Sequence, residues 1–101
     1  VDGFRFDVIN FLFHDKNLRD NPARGGDVSH VTQFEKKSPH GMQIHKYDIT
    51  QPETLDFIAR IRGLMNEYPG TMTLGEVGAE DPFLTSAQYS DSGRYLDTCY
   101  N

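Results

Sequence analysis

The first ten residues, VDGFRFDVIN, alternate between bulky apolar and polar side chains. The bulky apolar residues occupy every second position, at Phe4, Phe6 and Val8, and the charged residues Arg5 and Asp7 lie between them. A period of two is typical of a β-strand with one apolar face and one polar face. The pattern therefore predicts a two-faced first strand that reaches Val8.

The apolar spacing becomes helical after residue 50. Apolar side chains recur at intervals of three or four residues: Leu55, Ile58, Ile61, Leu64, Met65 and Tyr68. Thr50 and Glu53 fit a capping box, and Pro52 is tolerated in a first helical turn. The pair Pro69-Gly70 then stops the helix.

A second strand is predicted over TMTLGEV, residues 71–77, and a third over the final RYLDTCYN. The predicted order is strand, long loop, helix, strand, loop, strand. Parallel strands joined through a helix form a βαβ unit, so the fold class is α/β, as a barrel or an open sheet. Because the chain starts and stops within predicted strands, we expect a fragment of a larger domain.

Residues 11–49 form a polar segment that is too long for a simple connection. Loops beyond about 12 to 15 residues without regular structure are usually functional or disordered. This one leaves the carboxyl end of the first strand, where parallel α/β folds bind their ligands. We therefore expect a loop region on the active-site side of the fold, with Asp7 and Glu76 at the ends of adjacent strands.

Composition narrows the range of partners. The formal charge of −5 comes from 10 basic and 15 acidic residues, and no Lys/Arg cluster suggests a nucleic-acid or anionic-membrane surface. Apolar runs fall short of the roughly 20 residues that span a bilayer. Cys99 is the single cysteine, the four histidines lack zinc-site spacing, and residues 15–21 lack the full ligand pattern of a calcium loop. We expect a small polar ligand and neither a metal nor a cofactor.

Two carboxylates beside an arginine suit glycoside cleavage, which needs one ionised carboxylate and one that carries a proton. Arg5 precedes Asp7 by two residues on the same predicted face, and a nearby guanidinium lowers the pKa of a carboxyl group. Asp7 is thus the candidate nucleophile. Glu76 has no basic neighbour in sequence, and partial burial beside Asp7 would favour its protonated form. A structural ion pair at Asp7 and a solvated strand end at Glu76 are the plainer alternatives.

The motif VDGFRFDVIN, followed after a helix by LGEV, resembles the second and third sequence signatures of glycoside hydrolase family 13, the α-amylase family. The chain is similar to the α-glucosidase and oligo-1,6-glucosidase branch. The resemblance implies that residues 1–101 form part of a catalytic (β/α)8 TIM barrel, about its fourth to sixth strands. It implies retaining hydrolysis in which Asp7 matches the nucleophile, Glu76 the acid/base and Arg5 the residue that orients the nucleophile. The family's third carboxylate is expected outside this chain.

Departures from the family pattern refine the predicted substrate. Many amylases carry Lys-His where this chain has Asn10-Phe11, so endo-acting starch cleavage is less expected. Val8, directly after the nucleophile, resembles enzymes that accept α-1,6 bonds. Phe11 is a candidate for stacking on the sugar, with core packing as the equal alternative.

Three functions stay open at this stage. The first is an exo-acting α-glucosidase on short α-1,4 and α-1,6 glucosides, cytoplasmic by analogy with the family. The second is a glucosyl transferase or sugar isomerase, of the sucrose-isomerising or trehalose-forming type, with the same Asp7 and Glu76. The third is a non-catalytic barrel relative. The sequence leaves the oligomeric state open.

Overall fold

The computed structural model describes residues 1–26, 37–91 and 93–101. Three strands and two α-helices follow one another along this part of the chain, with one short 3₁₀ helix. In order they are β1 Gly3–Phe6, the 3₁₀ helix Ile9–Phe11, α1 Glu53–Met65, β2 Met72–Glu76, α2 Pro82–Tyr89 and β3 Thr98–Tyr100.

The three strands form one parallel sheet in the order β1-β2-β3. Gly3 of β1 lies opposite Met72 of β2, and Leu74 of β2 lies opposite Thr98 of β3. The α/β prediction is confirmed. Parallel strands place all their carboxyl ends at one edge of the sheet.

Register assigns the side chains to two faces. Phe6, Gly75 and Cys99 lie opposite one another across the strands, and Phe6 and Cys99 pack against a buried cluster. That cluster consists of Ile9, Ile58, Val77, Tyr89 and Leu96. A β-carbon added at Gly75 would come within 2.6 Å of the Leu96 side chain, so glycine lets the cluster close against the sheet.

The predicted strand to Val8 is too long. β1 ends at Phe6, Asp7 lies in a turn, and Val8 has φ 37 and ψ 51. This left-handed conformation is unfavourable for a β-branched residue, so Val8 is a strained position next to Asp7. The turn leads into the 3₁₀ helix and takes Val8 off the apolar face of the strand.

The predicted capping box is wrong. α1 begins at Glu53, and no side chain caps its first turn. Thr50 has φ 55 and its hydroxyl accepts a hydrogen bond from Asn10 at 3.0 Å. The helix ends at Met65, and Tyr68 lies in the turn that follows.

The segment after β2, expected to be a loop, contains α2. The Asp81 carboxylate caps this helix by accepting a hydrogen bond from the Leu84 amide at 2.9 Å, and Pro82 occupies the first turn. Asp followed by Pro is a common helix start, and this local signal was available in the sequence. Among the described residues, no helix combines the length and apolar character needed to cross a membrane.

A polar cluster joins the amino-terminal ends of β2 and β3. The Asp97 carboxylate accepts hydrogen bonds from the backbone amide and the hydroxyl of Thr73, both at 2.7 Å, and pairs with Arg62 of α1 at 3.0 Å. These contacts fix the two strands against α1 at the edge of the sheet opposite Glu76.

Candidate active site

The Arg5 guanidinium lies at the centre of the candidate site. Its Nη2 atom is 3.0 Å from Asp7 Oδ1 and 2.7 Å from Glu76 Oε2. Its Nε atom donates a hydrogen bond to the Tyr100 hydroxyl at 2.6 Å. The expected proximity of Asp7 and Glu76 is confirmed, and Glu76, which has no basic neighbour in sequence, has Arg5 as its basic neighbour in space. Arg5 lies closer to Glu76 than to Asp7.

Strand register explains why these residues meet. Arg5 lies opposite Leu74 on β2, and Glu76 lies opposite Tyr100 on β3. Residues directly opposite in parallel strands share a face, and so do residues two apart on one strand. Arg5, Glu76 and Tyr100 therefore share the face opposite the buried cluster. Asp7 joins them because the chain turns immediately after β1.

The two acids are electrostatically linked. A hydrogen bond with Glu76 and then the positive charge of Arg5 hold the pKa of Asp7 below its usual range. We expected the direction of this shift and named Arg5 as its cause, but Glu76 contributes more. The Asp7 side chain is 70% exposed, so a ligand can reach it from solvent. Asp7 is thus poised to be ionised.

A cavity of about 440 Å³ opens beside these residues. Val8, Phe11 and Glu76 are among the residues that line it. Val8 is 38% exposed and Phe11 is 43% exposed, so Phe11 is a wall residue and not part of the buried cluster. The sequence-based roles of Arg5, Val8 and Phe11 in binding stay predictions, and so do those of Asp7 and Glu76 in catalysis.

The described part of the predicted loop region 11–49 is folded back on itself, and residues 27–36 lie outside the described part. Ala23 and Gln43 form an antiparallel bridge. The Arg24 amide donates to the Met42 carbonyl at 2.7 Å, and the Ile44 amide donates to the Pro22 carbonyl at 2.8 Å. Two distant stretches of the region thereby form one unit.

Glu80 attaches this unit to the loop after β2. Arg24 donates to Glu80 Oε2 at 2.6 Å, and the His45 amide donates to Glu80 Oε1 at 2.8 Å. Burial raises the pKa of Glu80, but these hydrogen bonds outweigh it and the net shift is downward. Glu80 is thus ion-paired with Arg24, and His45 is a loop histidine that is only 9% exposed.

Asn10 supports the candidate site through contacts that the sequence did not reveal. It is fully buried, and its amide group donates to the Gly78 carbonyl at 2.8 Å while accepting from the Gly78 amide at 3.2 Å. Its backbone carbonyl accepts from the Thr50 amide at 2.7 Å. Asn10 thus joins the turn that carries Asp7 to the loop that follows Glu76. Sequence analysis used Asn10 only as a departure from the amylase pattern.

We expect Asn10→Ala to destabilise the protein by about 2–4 kcal/mol, because it removes the hydrogen bonds that a fully buried side chain makes to Gly78 and Thr50 and opens a cavity. Urea denaturation followed by circular dichroism measures this change. Asn17→Ala is the matched control, since Asn17 is exposed and an exposed substitution usually changes stability by less than about 0.5 kcal/mol. Equal losses of stability in the two variants would contradict the role of Asn10 in joining the turn to the loop.

Metal ligands are not assembled in the described ranges. Within residues 1–26, 37–91 and 93–101, no group of three His, Cys, Asp or Glu side chains is arranged to hold a metal ion. In the stretch compared with a calcium loop, Asp15 instead pairs with Arg19 at 2.8 Å. The hydrogen bond from the Arg19 side chain lowers the pKa of Asp15 to about 2.

Comparison with known proteins decides the family. The protein-family sequence model described as alpha amylase, catalytic domain, matches residues 1–99. The chain belongs to the alpha-amylase family. The resemblance drawn from the two signatures is therefore confirmed, and the three parallel strands are part of a TIM barrel of this family.

Two curated relatives agree with the predicted branch. A probable alpha-glucosidase of Rhizobium meliloti (strain 1021) is 42% identical over 101 residues, which is 99% of this chain and 18% of that protein. An alpha-glucosidase of Apis mellifera is 27% identical over 96 residues, which is 81% of this chain and 16% of that protein. This alpha-amylase family chain therefore spans less than a fifth of the length of these two relatives.

A solved structure shares both fold and sequence. The crystal structure of the alpha-glucosyl transfer enzyme XgtA matches the whole of this chain with a TM-score of 0.84 and 43% identity. The match covers 19% of the XgtA chain. Family members named for hydrolysis and for transfer are thus both similar to this alpha-amylase family chain.

Proposed function

We propose that this chain carries the nucleophile and the acid/base of a retaining enzyme that acts on short α-glucosides by hydrolysis. The observation that carries the proposal is the contact of one Arg5 nitrogen with both Asp7 and Glu76 at the carboxyl ends of β1 and β2. Ligands bind at this edge in parallel α/β folds. The alpha-glucosidase names of the two curated relatives support the substrate class.

The spacing of the two acids supports retention. Two oxygens that contact one nitrogen at 3.0 Å and 2.7 Å are closer than the roughly 6.5–9.5 Å that separates the acids of inverting enzymes. No water molecule fits between acids at this spacing as the direct nucleophile. A carboxylate nucleophile is the alternative, and the lowered pKa of Asp7 keeps this carboxylate ionised.

The proposed reaction has two displacements. Asp7 attacks the anomeric carbon and forms an ester bond to it, while the glycosidic bond breaks and Glu76 transfers its proton to the departing oxygen. Glu76 then takes a proton from water, whose oxygen attacks the same carbon and releases Asp7. Arg5 holds both carboxylates and offsets negative charge in each state.

The proposal also extends to the surroundings of the site. We assign the three strands to about the fourth to sixth strands of the barrel, within a complete protein that supplies the third carboxylate. Val8 and Phe11 form the wall that contacts the sugar, and tolerance of α-1,6 bonds is assigned to Val8. The partner is a small α-glucoside.

Glucosyl transfer is the second candidate, and the similarity to XgtA favours it. It uses the same Asp7 and Glu76, but a sugar hydroxyl replaces water in the second displacement. The two functions therefore differ only in what consumes the intermediate.

Product partition in the complete protein distinguishes them. With nitrophenyl α-glucoside as donor and cellobiose, which has no α-glucosidic bond, as acceptor at increasing concentration, hydrolysis releases glucose and nitrophenol in equal amounts. We expect this equality to hold at every cellobiose concentration. Release of far less glucose than nitrophenol as cellobiose increases would contradict hydrolysis and favour transfer.

A further inference from the structure

Tyr100 contacts the site from a different strand than either acid. Its hydroxyl oxygen lies 2.6 Å from Arg5 Nε, and the centre of its ring lies 5.6 Å from the guanidinium carbon of Arg5. Arg5 is on β1 and Tyr100 is on β3, with β2 between them. The two side chains therefore meet over β2 and together bridge the roughly 10 Å between the outer strands.

Burial does not hold Arg5 in this extended position. Its side chain is 51% exposed, and a free arginine side chain populates many rotamers. The guanidinium has two separate anchors: Nη2 contacts the acids, and Nε contacts Tyr100. Two anchors on different nitrogens fix both the reach and the plane of the group, whereas Nη2 alone would leave it free to pivot.

The hydroxyl is well placed to act as this second anchor. Tyr100 lies opposite Glu76 in the register of β2 and β3, and its backbone carbonyl accepts a hydrogen bond from the Val77 amide at 2.8 Å. The residue is thus tied to the strand that carries Glu76. In the hydrogen bond from Arg5 the Tyr100 hydroxyl is the acceptor.

We propose that Tyr100 is a positioning residue, whose hydroxyl holds the Arg5 guanidinium between Asp7 and Glu76 in the geometry that the glycoside reaction requires. This inference rests on the proposed function. Tyr100 acts through Arg5 and is not assigned a contact with the reacting atoms.

Tyr100→Phe in the complete protein removes the anchor and keeps the ring. We expect kcat/KM for nitrophenyl α-glucoside to fall by about 10- to 100-fold, mostly in kcat, because a hydrogen bond to a charged group is lost. The hydrogen bond with Glu76, followed by the charge of Arg5, keeps the pKa of Asp7 low, and a displaced Arg5 contributes less. The acid limb of the pH profile should then move to higher pH, since Asp7 must be ionised to attack.

Tyr95→Phe is the matched control. The Tyr95 hydroxyl also accepts a hydrogen bond from an arginine, Arg94, at 3.4 Å, and the Arg94 guanidinium lies over its ring at 5.2 Å. Tyr95 precedes β3 and so lies away from the carboxyl ends of the strands. We expect its kcat/KM and its acid limb to match those of the wild type.

A double-mutant cycle with Arg5→Lys tests whether Tyr100 acts through Arg5. Lysine has no Nε–H to donate in the same place, so Tyr100→Phe should cost less than about twofold in the Arg5→Lys background. An equal cost in both backgrounds would overturn the proposal.

Further outcomes distinguish a failure of this inference from a failure of the proposed function on which it rests. Wild-type protein that forms a trapped adduct on Asp7, with Tyr100→Phe indistinguishable from Tyr95→Phe, would overturn only the role of Tyr100. If Tyr100→Phe lowers the melting temperature but leaves the acid limb of the pH profile unchanged, Tyr100 serves folding, and its positioning role is again overturned. If the wild-type protein forms no adduct, both the proposed function and this inference are overturned.

Discussion

Asp7→Asn is expected to abolish formation of the glucosyl-enzyme intermediate, with kcat/KM falling by roughly four orders of magnitude or more. An amide oxygen is too weak a nucleophile to attack the anomeric carbon. The fold should persist, because the Asp7 side chain is 70% exposed and belongs to no buried cluster. Steady-state kinetics and thermal unfolding of the complete protein measure the two effects separately.

Asp20→Asn is the control for Asp7→Asn, because Asp20 is an exposed aspartate in the 11–49 region. Its activity should stay close to that of the wild type. The variant Asp7→Ala, which has a shorter side chain at the same position, adds a positive test. Azide can enter the space left by the carboxylate and attack the anomeric carbon in its place, and the expected product is β-glucosyl azide. Near wild-type turnover by Asp7→Asn would exclude Asp7 as the nucleophile.

Glu76→Gln is expected to lower activity by an amount that depends on the leaving group. Natural α-glucosides leave as poor alkoxides and need a proton, so their kcat/KM should fall by about 10²- to 10⁴-fold. An α-glucosyl fluoride has a good leaving group, and its first displacement should be affected much less. The measurement is pre-steady-state release of the leaving group for each substrate.

Glu67→Gln is the matched control for Glu76→Gln, since Glu67 is exposed beyond the end of α1. It should not discriminate between leaving groups. Glutamine at position 76 also removes the charge that Arg5 contacts at 2.7 Å, so the experiment has to separate a general weakening of the site from the loss of the acid. Equal losses for both substrates would assign Glu76 to that structural role and deny it the acid role.

The pairing of Asp7 with Glu76 could be predicted because it depends on simple regularities. A period of two placed Arg5 on the polar face of the first strand and Asp7 at its carboxyl end, and a helix between two strands implied parallel order with both carboxyl ends at one edge. The turn that brings Asp7 to Arg5 was not predicted. The family signatures then gave these residues roles. Local pattern and fold class together were enough for this part of the site.

The remaining contacts depend on residues that are far apart in the chain. Asn10 and Gly78 are 68 positions apart, Arg24 and Glu80 are 56 apart, and Arg5 and Tyr100 are 95 apart. No periodicity within one segment encodes such a hydrogen bond.

Two local predictions failed because tertiary contacts overrode the local preference. Val8 adopts a left-handed conformation, where the chain turns into the 3₁₀ helix, although its sequence favours a strand. Thr50 also has a positive φ, and its hydroxyl accepts a hydrogen bond from Asn10 instead of capping α1.

Trapping of the intermediate is the most direct measurement of the proposed role of Asp7. The complete protein is incubated with 5-fluoro-α-glucosyl fluoride, which slows the second displacement, and the digested product is mapped by mass spectrometry. We expect one glucosyl adduct, on the peptide that carries Asp7 and on that carboxylate. An adduct on a different carboxylate, or no adduct from a folded protein that binds glucosides, would contradict the assignment of Asp7 as the nucleophile.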